Sequence, residues 1–372
     1  MKNLRHRRFW DRGLVLLTAA GLVIGCGALC IFPAPRFSTT ENRYLAELPT
    51  LTASEVLNGN YAAALDAYAT ERFPSRTVLR QARALLQLME GRCEVGGVLL
   101  CKDGSLAKRM TVNEGAFAQN LEGLQRLIAP TEGADLPITV AIVPRRIDAR
   151  TAVLPSLYCT KENNAVWERL RSVLPQALTF PDLTADAHWY RTDHHWTTEG
   201  AFAAYEALAR QWGIPPYGRG SFHVEVVSKR FFGTSHATAG IPLLQADEIA
   251  LYRYVGDEDM TLLLDGKLAP FGGFYDFDKL RTRDGYGVFF GGNYGVLELT
   301  DHTERETLLV IKDSFANSLL PFLARHFNII AVDPRYTSAP FSSFADRADR
   351  ILVLCGMQTL CETTVLRALT KK

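Results

Sequence analysis

Four short apolar runs constrain this chain more than any other feature: Ile138-Thr139-Val140-Ala141-Ile142-Val143, Leu308-Leu309-Val310-Ile311, Ile329-Ile330-Ala331-Val332 and Ile351-Leu352-Val353-Leu354. Each reads as a strand buried on both faces. Leu178 to Leu183 adds a shorter strand. Between the runs lie segments of helical period: Val112 to Ile128, Val166 to Val173, Thr197 to Trp212, and 318–326. The third has a start and a stop. Thr197 can cap it, Glu199 suits its first turn, and Gly213, Pro215 and Pro216 end it. Strands separated by helices of this length predict an α/β fold, a parallel sheet with helices on its faces.

The chain has 372 residues, enough for one large domain with an appendage or for two domains. Thr52 to Glu90 has a helical pattern broken at Phe73-Pro74-Ser75, and Gly96 to Leu100 with Gly104 suggests a hairpin. Residues 222–305 are rich in glycine, aromatic and β-branched residues, with turns at Gly256-Asp257-Glu258, Asp265-Gly266 and Asp284-Gly285. This predicts a linker and helical region over 34–110, then an α/β domain over 111–372 with a β-rich insertion at 222–305.

Lys2, Arg5, Arg7, Arg8 and Arg12 precede an uncharged stretch from Gly13 to Pro33. A run of that length suits a membrane-spanning helix, and its basic flank predicts a cytoplasmic tail at 1–12 with the rest of the chain outside. The expected location is therefore the cell membrane, single-pass, through residues 13–33. Two other readings stay open. One is a cleaved signal peptide, although no A-x-A-like site is evident. The other is a lipoprotein signal at Val23-Ile24-Gly25-Cys26, although Gly27 to Phe32 stay apolar. A formal net charge of +1 gives no electrostatic reason to expect nucleic acid. Outside this run the cysteines are Cys93, Cys101, Cys159, Cys355 and Cys361. They form no C-x-x-C pair, and small buried thiols are favoured over bridges from Cys93 to Cys101 or from Cys355 to Cys361.

Two spots carry chemistry. Asp193-His194-His195-Trp196 lies just before the helix that Thr197 caps. In an extended segment residues two apart face the same way, so Asp193 can orient the imidazole of His195 while His194 points elsewhere. That is the base and orienting half of a triad. Lys312-Asp313-Ser314-Phe315 ends an apolar strand, where α/β proteins build their sites. Ser314 is the candidate nucleophile, and nearby backbone N–H groups would meet a developing oxyanion. The G-x-S-x-G elbow is absent, which disfavours the α/β-hydrolases. Ser318 suits a helix cap, with Pro321 in the first turn. The bland alternatives are common: an Asp-x-His is more often structural, and a serine after a strand is usually a turn residue or cap. A metal alternative would draw on His188, Asp193, His194 and His195, but no helical i, i+4 histidine pair or second ligand cluster accompanies them. The expected chemistry needs no metal and no cofactor.

Together these spots resemble the DHHW family, whose name is the tetrapeptide at 193–196. Further blocks carry the resemblance over roughly 37–372: Phe37-Ser38 with Glu41-Asn42-Arg43 and Leu45, Phe73-Pro74-Ser75-Arg76, Arg191 to Gly200, Phe232-Gly233-Thr234, Gly291-Gly292-Asn293-Tyr294-Gly295, and Asp313 to Ser318. The family looks related to SGNH-like proteins that O-acetylate alginate, in which the Asp-x-His segment precedes the nucleophile. The resemblance implies an SGNH-hydrolase-like, flavodoxin-like parallel sheet flanked by helices. It also implies that Asp193 orients, His195 is the base and Ser314 the nucleophile, with Asp313 bracing the turn. Lys312 stands where a Gly-Asp-Ser block has its glycine. Asn293, Arg335 and Tyr336 are expected at substrate or oxyanion contacts. The Gly-x-Asn block has its nearest match in Gly356-Met357-Gln358, where Gln358 could donate instead. Two functions follow as expectations. The first is an extracytoplasmic O-acetyltransferase or acetylesterase acting on a cell-surface or exopolysaccharide glycan, with an acyl-donor membrane protein as a partner. The second is a carbohydrate-binding or assembly protein on the same fold.

Overall fold

The apolar runs do become strands, and they share one eight-stranded sheet: Ile138–Val143 (β1), Leu178–Thr179 (β2), Thr261–Leu264 (β3), Lys267–Leu268 (β4), Val296–Thr300 (β5), Thr307–Lys312 (β6), Asn328–Val332 (β7) and Arg350–Gly356 (β8). The structure is a computed structural model and describes residues 36–38, 43–73, 75–129 and 136–366, with scattered positions between 13 and 27. The spatial order is β4-β3-β5-β7-β6-β8-β1-β2. β7, β6, β8, β1 and β2 are parallel to one another, while β5 pairs antiparallel with β7, β3 with β5, and β4 with β3. The sheet is thus mixed and largely parallel rather than wholly parallel.

Counted from β6, the parallel strands lie in the order 2-1-3-4-5 of flavodoxin-like sheets. The chain enters this arrangement at its fourth strand, β1, and reaches the first, β6, only after residue 306. Period-2 alternation divides the strands between two cores. Leu308, Val310, Leu352, Leu354, Ala141 and Val143 face one core, which holds Phe202, Tyr205 and Leu208 of the helix Thr198–Trp212. Leu309, Ile311, Val353, Val140 and Ile142 face the other, with Phe117, Leu121 and Leu124 of Glu114–Ile128 and Val166 and Leu170 of Lys161–Val173.

The segment 222–305, expected as a β-rich insertion, divides between a separate ribbon and the central sheet. His223–Phe231 and Asp247–Arg253 form a separate two-stranded ribbon. β3, β4 and β5 instead extend the central sheet, because Leu262, Leu264, Leu297 and Leu299 alternate into its core. The helix expected at 318–326 is a 3₁₀ turn, Ser314–Ser318, followed by Leu320–Leu323 with its proline in the first turn. Thr197 caps Thr198–Trp212 as its sequence suggests, its hydroxyl accepting from the Gly200 N–H at 3.2 Å, and Gly213 closes the helix with φ 67°.

Two compact units divide the chain, Met1–Gly91 with Gly240–Pro242, and Arg92–Ala239 with Leu243–Lys372. In the first, Asn60–Arg72 and Arg76–Met89 are helices, and Arg72 Nε donates to the Ala46 carbonyl at 3.0 Å. The second begins before residue 111, since the small sheet of Glu94–Val95, Val98–Leu100 and Leu106–Lys108 belongs to it. Among the described residues no helix is long and apolar enough to cross a membrane, and the anchor expected at 13–33 lies partly outside them. The five described cysteines are free, with Cys101, Cys355 and Cys361 buried.

Candidate active site

The Asp-His segment is a closed loop rather than a strand. Trp189 and Trp196 pair as an antiparallel bridge, and the Thr197 N–H donates to the His188 carbonyl at 3.0 Å. Residues 191–195 between them are a run of bends. A Cβ at Gly200 would overlap that His188 carbonyl, so the first turn of the following helix needs glycine there. At the base of the loop, buried Asp247 accepts the N–H groups of Arg191 (2.7 Å) and Thr192 (2.8 Å), and the Thr192 hydroxyl at 2.5 Å.

Asp193 sits inside this loop and is fully engaged. Oδ1 accepts the backbone N–H of His195 at 2.9 Å and its Nδ1–H at 2.6 Å. Oδ2 accepts the N–H of Thr234 at 2.7 Å and its hydroxyl at 3.0 Å. Four donors fill the lone-pair sites of an ionised carboxylate. Burial would raise this carboxyl; the two flanking imidazoles and the hydrogen bonds from His195 outweigh it and hold the group below the ordinary carboxylate range. Asp193 therefore stays an anion. Gly233 makes the approach possible: a Cβ there would fall within the Asp193 carboxylate.

With Nδ1–H given to Asp193, the imidazole of His195 presents the Nε2 lone pair, and Ser314 Oγ lies 2.8 Å from it. Tyr286 stacks on the ring at 3.9 Å and 6°, and Phe315 meets it edge-on at 5.1 Å. The Tyr286 hydroxyl donates to the Ser314 carbonyl at 3.1 Å and lies 3.1 Å from Ser318 Oγ. Burial pushes this phenol well above its usual range, so it stays a donor. Trp196 Nε1–H donates to the Phe315 carbonyl at 3.0 Å and to Ser318 Oγ at 2.9 Å. Ser318 is thus not a helix cap; it ties the two halves of the site together.

Ser314 follows β6 at the C-terminal edge of the sheet. Asp313 builds its turn: Oδ1 accepts the Phe315 N–H at 3.0 Å, while Oδ2 accepts the Gly356 N–H at 2.8 Å and the Thr359 hydroxyl at 2.6 Å. The turn that carries Ser314 is thereby fastened to the end of β8. A Cβ at Gly356 would lie 2.7 Å from the Phe315 ring, so the strand passes with no room for a side chain.

The substituted Lys312 has a structural use. Its buried Nζ donates to Asn317 Oδ1 at 2.7 Å and lies 3.8 Å from Asp333. Burial lowers this amine to about 8, against the pull of Asp333. Asn317 Nδ2 in turn donates to the Gly292 carbonyl (3.3 Å) and to Asn293 Oδ1 (3.2 Å). That fixes the Asn293 amide with its NH₂ turned away from Asn317. Arg335 grips Asp333 through two hydrogen bonds, 2.8 and 2.6 Å, and Tyr336 is exposed beside it. Gln358 differs from expectation. It lies in the first turn of the short helix Met357–Glu362, and its amide donates to Glu362 at 2.7 Å.

His194 also differs. The period-2 rule turned it away from His195, but the segment bends, and the two rings lie 3.8 Å apart with His194 Nδ1 3.5 Å from Asp193. Among the described residues, Asp193, His194 and His195 are the one group of three with metal-ligating side chains in reach of one another, and His188 is not part of it. Asp193 and Thr234 already occupy both Nδ1 atoms. The parts that sequence reasoning missed are Thr234, Tyr286 and Asp247. Only Thr234 left a signal, as part of the Phe232-Gly233-Thr234 block with no role attached.

The sequence profile of a family described as "DHHW protein" matches residues 182–333. No curated protein sequence matches the chain. Among solved structures, a DHHW family protein from Eubacterium siraeum is similar with a TM-score of 0.60 and 19% identity, covering 74% of this chain and 95% of that one. Bacillus cereus PatB1 with a sulfonyl adduct is similar with a TM-score of 0.57 and 16% identity, covering 72% and 96%. The O-acetyltransferase domain of Pseudomonas putida AlgJ gives a weaker likeness, TM-score 0.45 and 15% identity over 72% and 93%.

Proposed function

We propose that this chain, whose residues 182–333 match the DHHW protein family, is a serine acyl-transfer enzyme, an O-acetyltransferase or acetylesterase for a cell-surface or exopolysaccharide glycan. One observation carries this reading: the unbroken hydrogen-bonded chain from Asp193 through His195 to Ser314, at 2.6 and 2.8 Å. His195 Nε2 removes the proton of Ser314 Oγ as that oxygen attacks an acyl carbonyl. Asp193 holds the tautomer and offsets the imidazolium that forms. The oxyanion would meet the Ser314 N–H, which has no acceptor among the described residues, and the fixed Asn293 amide. His195 then protonates the leaving group. A glycan hydroxyl, or water, releases the acyl group by the same steps reversed.

PatB1 has been seen with a sulfonyl adduct, and the same chemistry tests this chain. An aryl sulfonyl fluoride is expected to label Ser314 stoichiometrically, with the label lost in Ser314→Ala and unaffected by a chelator. An unlabelled Ser314, together with binding to a glycan, would move the reading to a carbohydrate-binding or assembly protein. Chelator-sensitive turnover would move it to a metal site at Asp193, His194 and His195.

We further propose that the active domain lies outside the cytoplasmic membrane, held by residues 13–33. The basic flank before that apolar run supports this. The same setting calls for a membrane protein to deliver the acyl group. Protease added to intact spheroplasts is expected to digest the domain, and complete protection would overturn the placement.

A further inference from the structure

The second histidine of the DHHW segment has a hydrogen-bond arrangement of its own. Thr234 has one hydroxyl proton, and it goes to Asp193 Oδ2 at 3.0 Å, since the carboxylate can only accept. The 2.6 Å contact between Thr234 Oγ1 and His194 Nδ1 must then take its proton from the ring. His194 is therefore the Nδ1–H tautomer, with a lone pair on Nε2. Burial, then the neighbouring His195, keeps it well below the usual histidine range, so it is neutral. One carboxylate thus fixes two imidazoles in the same tautomer, His195 directly and His194 through Thr234.

Their geometry sets the lone pairs side by side. Both Nδ1 atoms turn toward Asp193, at 2.6 and 3.5 Å, so both Nε2 atoms lie on the far side of their rings. The rings are 3.8 Å apart and tilted by 39°. His195 Nε2 is taken by Ser314, whereas His194 Nε2 has no partner among the described residues and is not among the buried unpartnered atoms. The His194 side chain is 28% exposed, so an incoming molecule can reach it.

We propose that His194 Nε2 is an acceptor-binding atom that selects a vicinal diol, such as two neighbouring hydroxyls of a sugar ring, as the group to be acylated. This rests on the acyl-transfer reading above. The reacting hydroxyl gives its proton to His195 Nε2 as its oxygen attacks the acyl carbon of acyl-Ser314. The bond to Ser314 Oγ then breaks, and the proton passes to that oxygen. The neighbouring hydroxyl donates a hydrogen bond to His194 Nε2, and no proton is transferred there. Water and monohydric alcohols fill only the first position.

The full-length protein, acylated by an activated acetyl ester, is offered water with either a vicinal diol or a monohydric alcohol at equal hydroxyl concentration. The wild type is expected to prefer the diol by about tenfold, the worth of one well-placed hydrogen bond. His194→Phe keeps an aromatic ring against His195 and should lose the preference. His194→Gln places an oxygen near the Nε2 position and should restore part of it. Thr234→Val should weaken the preference and Thr234→Ser recover it. A readout independent of activity is the ¹⁵N spectrum of labelled histidines, in which His194 should show protonated Nδ1 and bare Nε2. An Nε2–H tautomer in the wild type, or a His194→Phe enzyme that keeps the diol preference, would overturn the inference and leave the triad standing. Wild-type protein with no Ser314-dependent turnover would overturn both.

Discussion

Ser314→Ala and His195→Ala are each expected to lower turnover of an activated acetyl ester by on the order of 10³-fold or more, and the double variant should be little worse than either. The non-additivity matters more than the size. Serine is a poor nucleophile near neutral pH, and the 2.8 Å contact between Oγ and His195 Nε2 lets proton removal accompany attack. Once either member is gone, the other has nothing to act with. Losses that multiply in the double variant would show two independent contributions and contradict a triad. Both side chains are buried or half-buried at the sheet's edge, so each variant needs a thermal melt beside its rate. A melting point close to wild type separates lost chemistry from lost folding.

Gly233→Ala is expected to cost on the order of 10²-fold in kcat/KM, although Gly233 touches no reacting atom. Its Cβ would occupy the space of the Asp193 carboxylate, which is held by four hydrogen bonds and surrounded by protein. Either Asp193 turns away from His195, or the 233–234 backbone retreats and takes the Thr234 donors with it. In the first case the imidazole loses its orienting partner, the change that Asp→Asn produces in serine-protease triads at about 10⁴-fold. Asp193→Asn is the reference for this comparison. Gly233→Ala should resemble it in lowering kcat, with KM moving little, because the acyl site itself is untouched. Wild-type kcat in a folded Gly233→Ala protein would show that the carboxylate is not held as tightly as the packing implies.

The sequence announced the parts of this molecule whose signals are local. Leu308 to Ile311 and Ile351 to Leu354 read as buried strands because every residue in them is apolar, and they are the middle of the sheet. Thr197 and Gly213 mark helix ends through their own backbone preferences. Asp193, His195 and Ser314 stand out because each follows a pattern of neighbouring residues. What stayed hidden depends on distance along the chain. Thr234 reaches Asp193 across 41 residues, and Tyr286 reaches the Ser314 carbonyl across 28. Nothing in either residue's own neighbourhood says so. His194 was misplaced for a different reason: alternation holds in strands, and a loop closed by Trp189 and Trp196 does not alternate. The sheet to which β3 and β5 belong was not legible, because alternating leucines show that a strand has a buried face, not which sheet supplies it.

The shuffled strand order has a consequence for how this protein is made. β8 lies between β6 and β1 and is the last of the sheet's eight strands in chain order. Its pairing with β1 joins Ile351 to Ile138, positions separated by roughly two hundred residues. Until it emerges, β1 with β2 and β6 with β7 are two fragments, each with an apolar strand edge open to other chains. Pairings over such separations are slow to form, and waiting edges are where chains stick to one another. A chain that stops short of Arg350 carries both histidines and the serine but has no strand to join them. The risk of aggregation during synthesis is therefore concentrated in the time before Arg350–Gly356 appears.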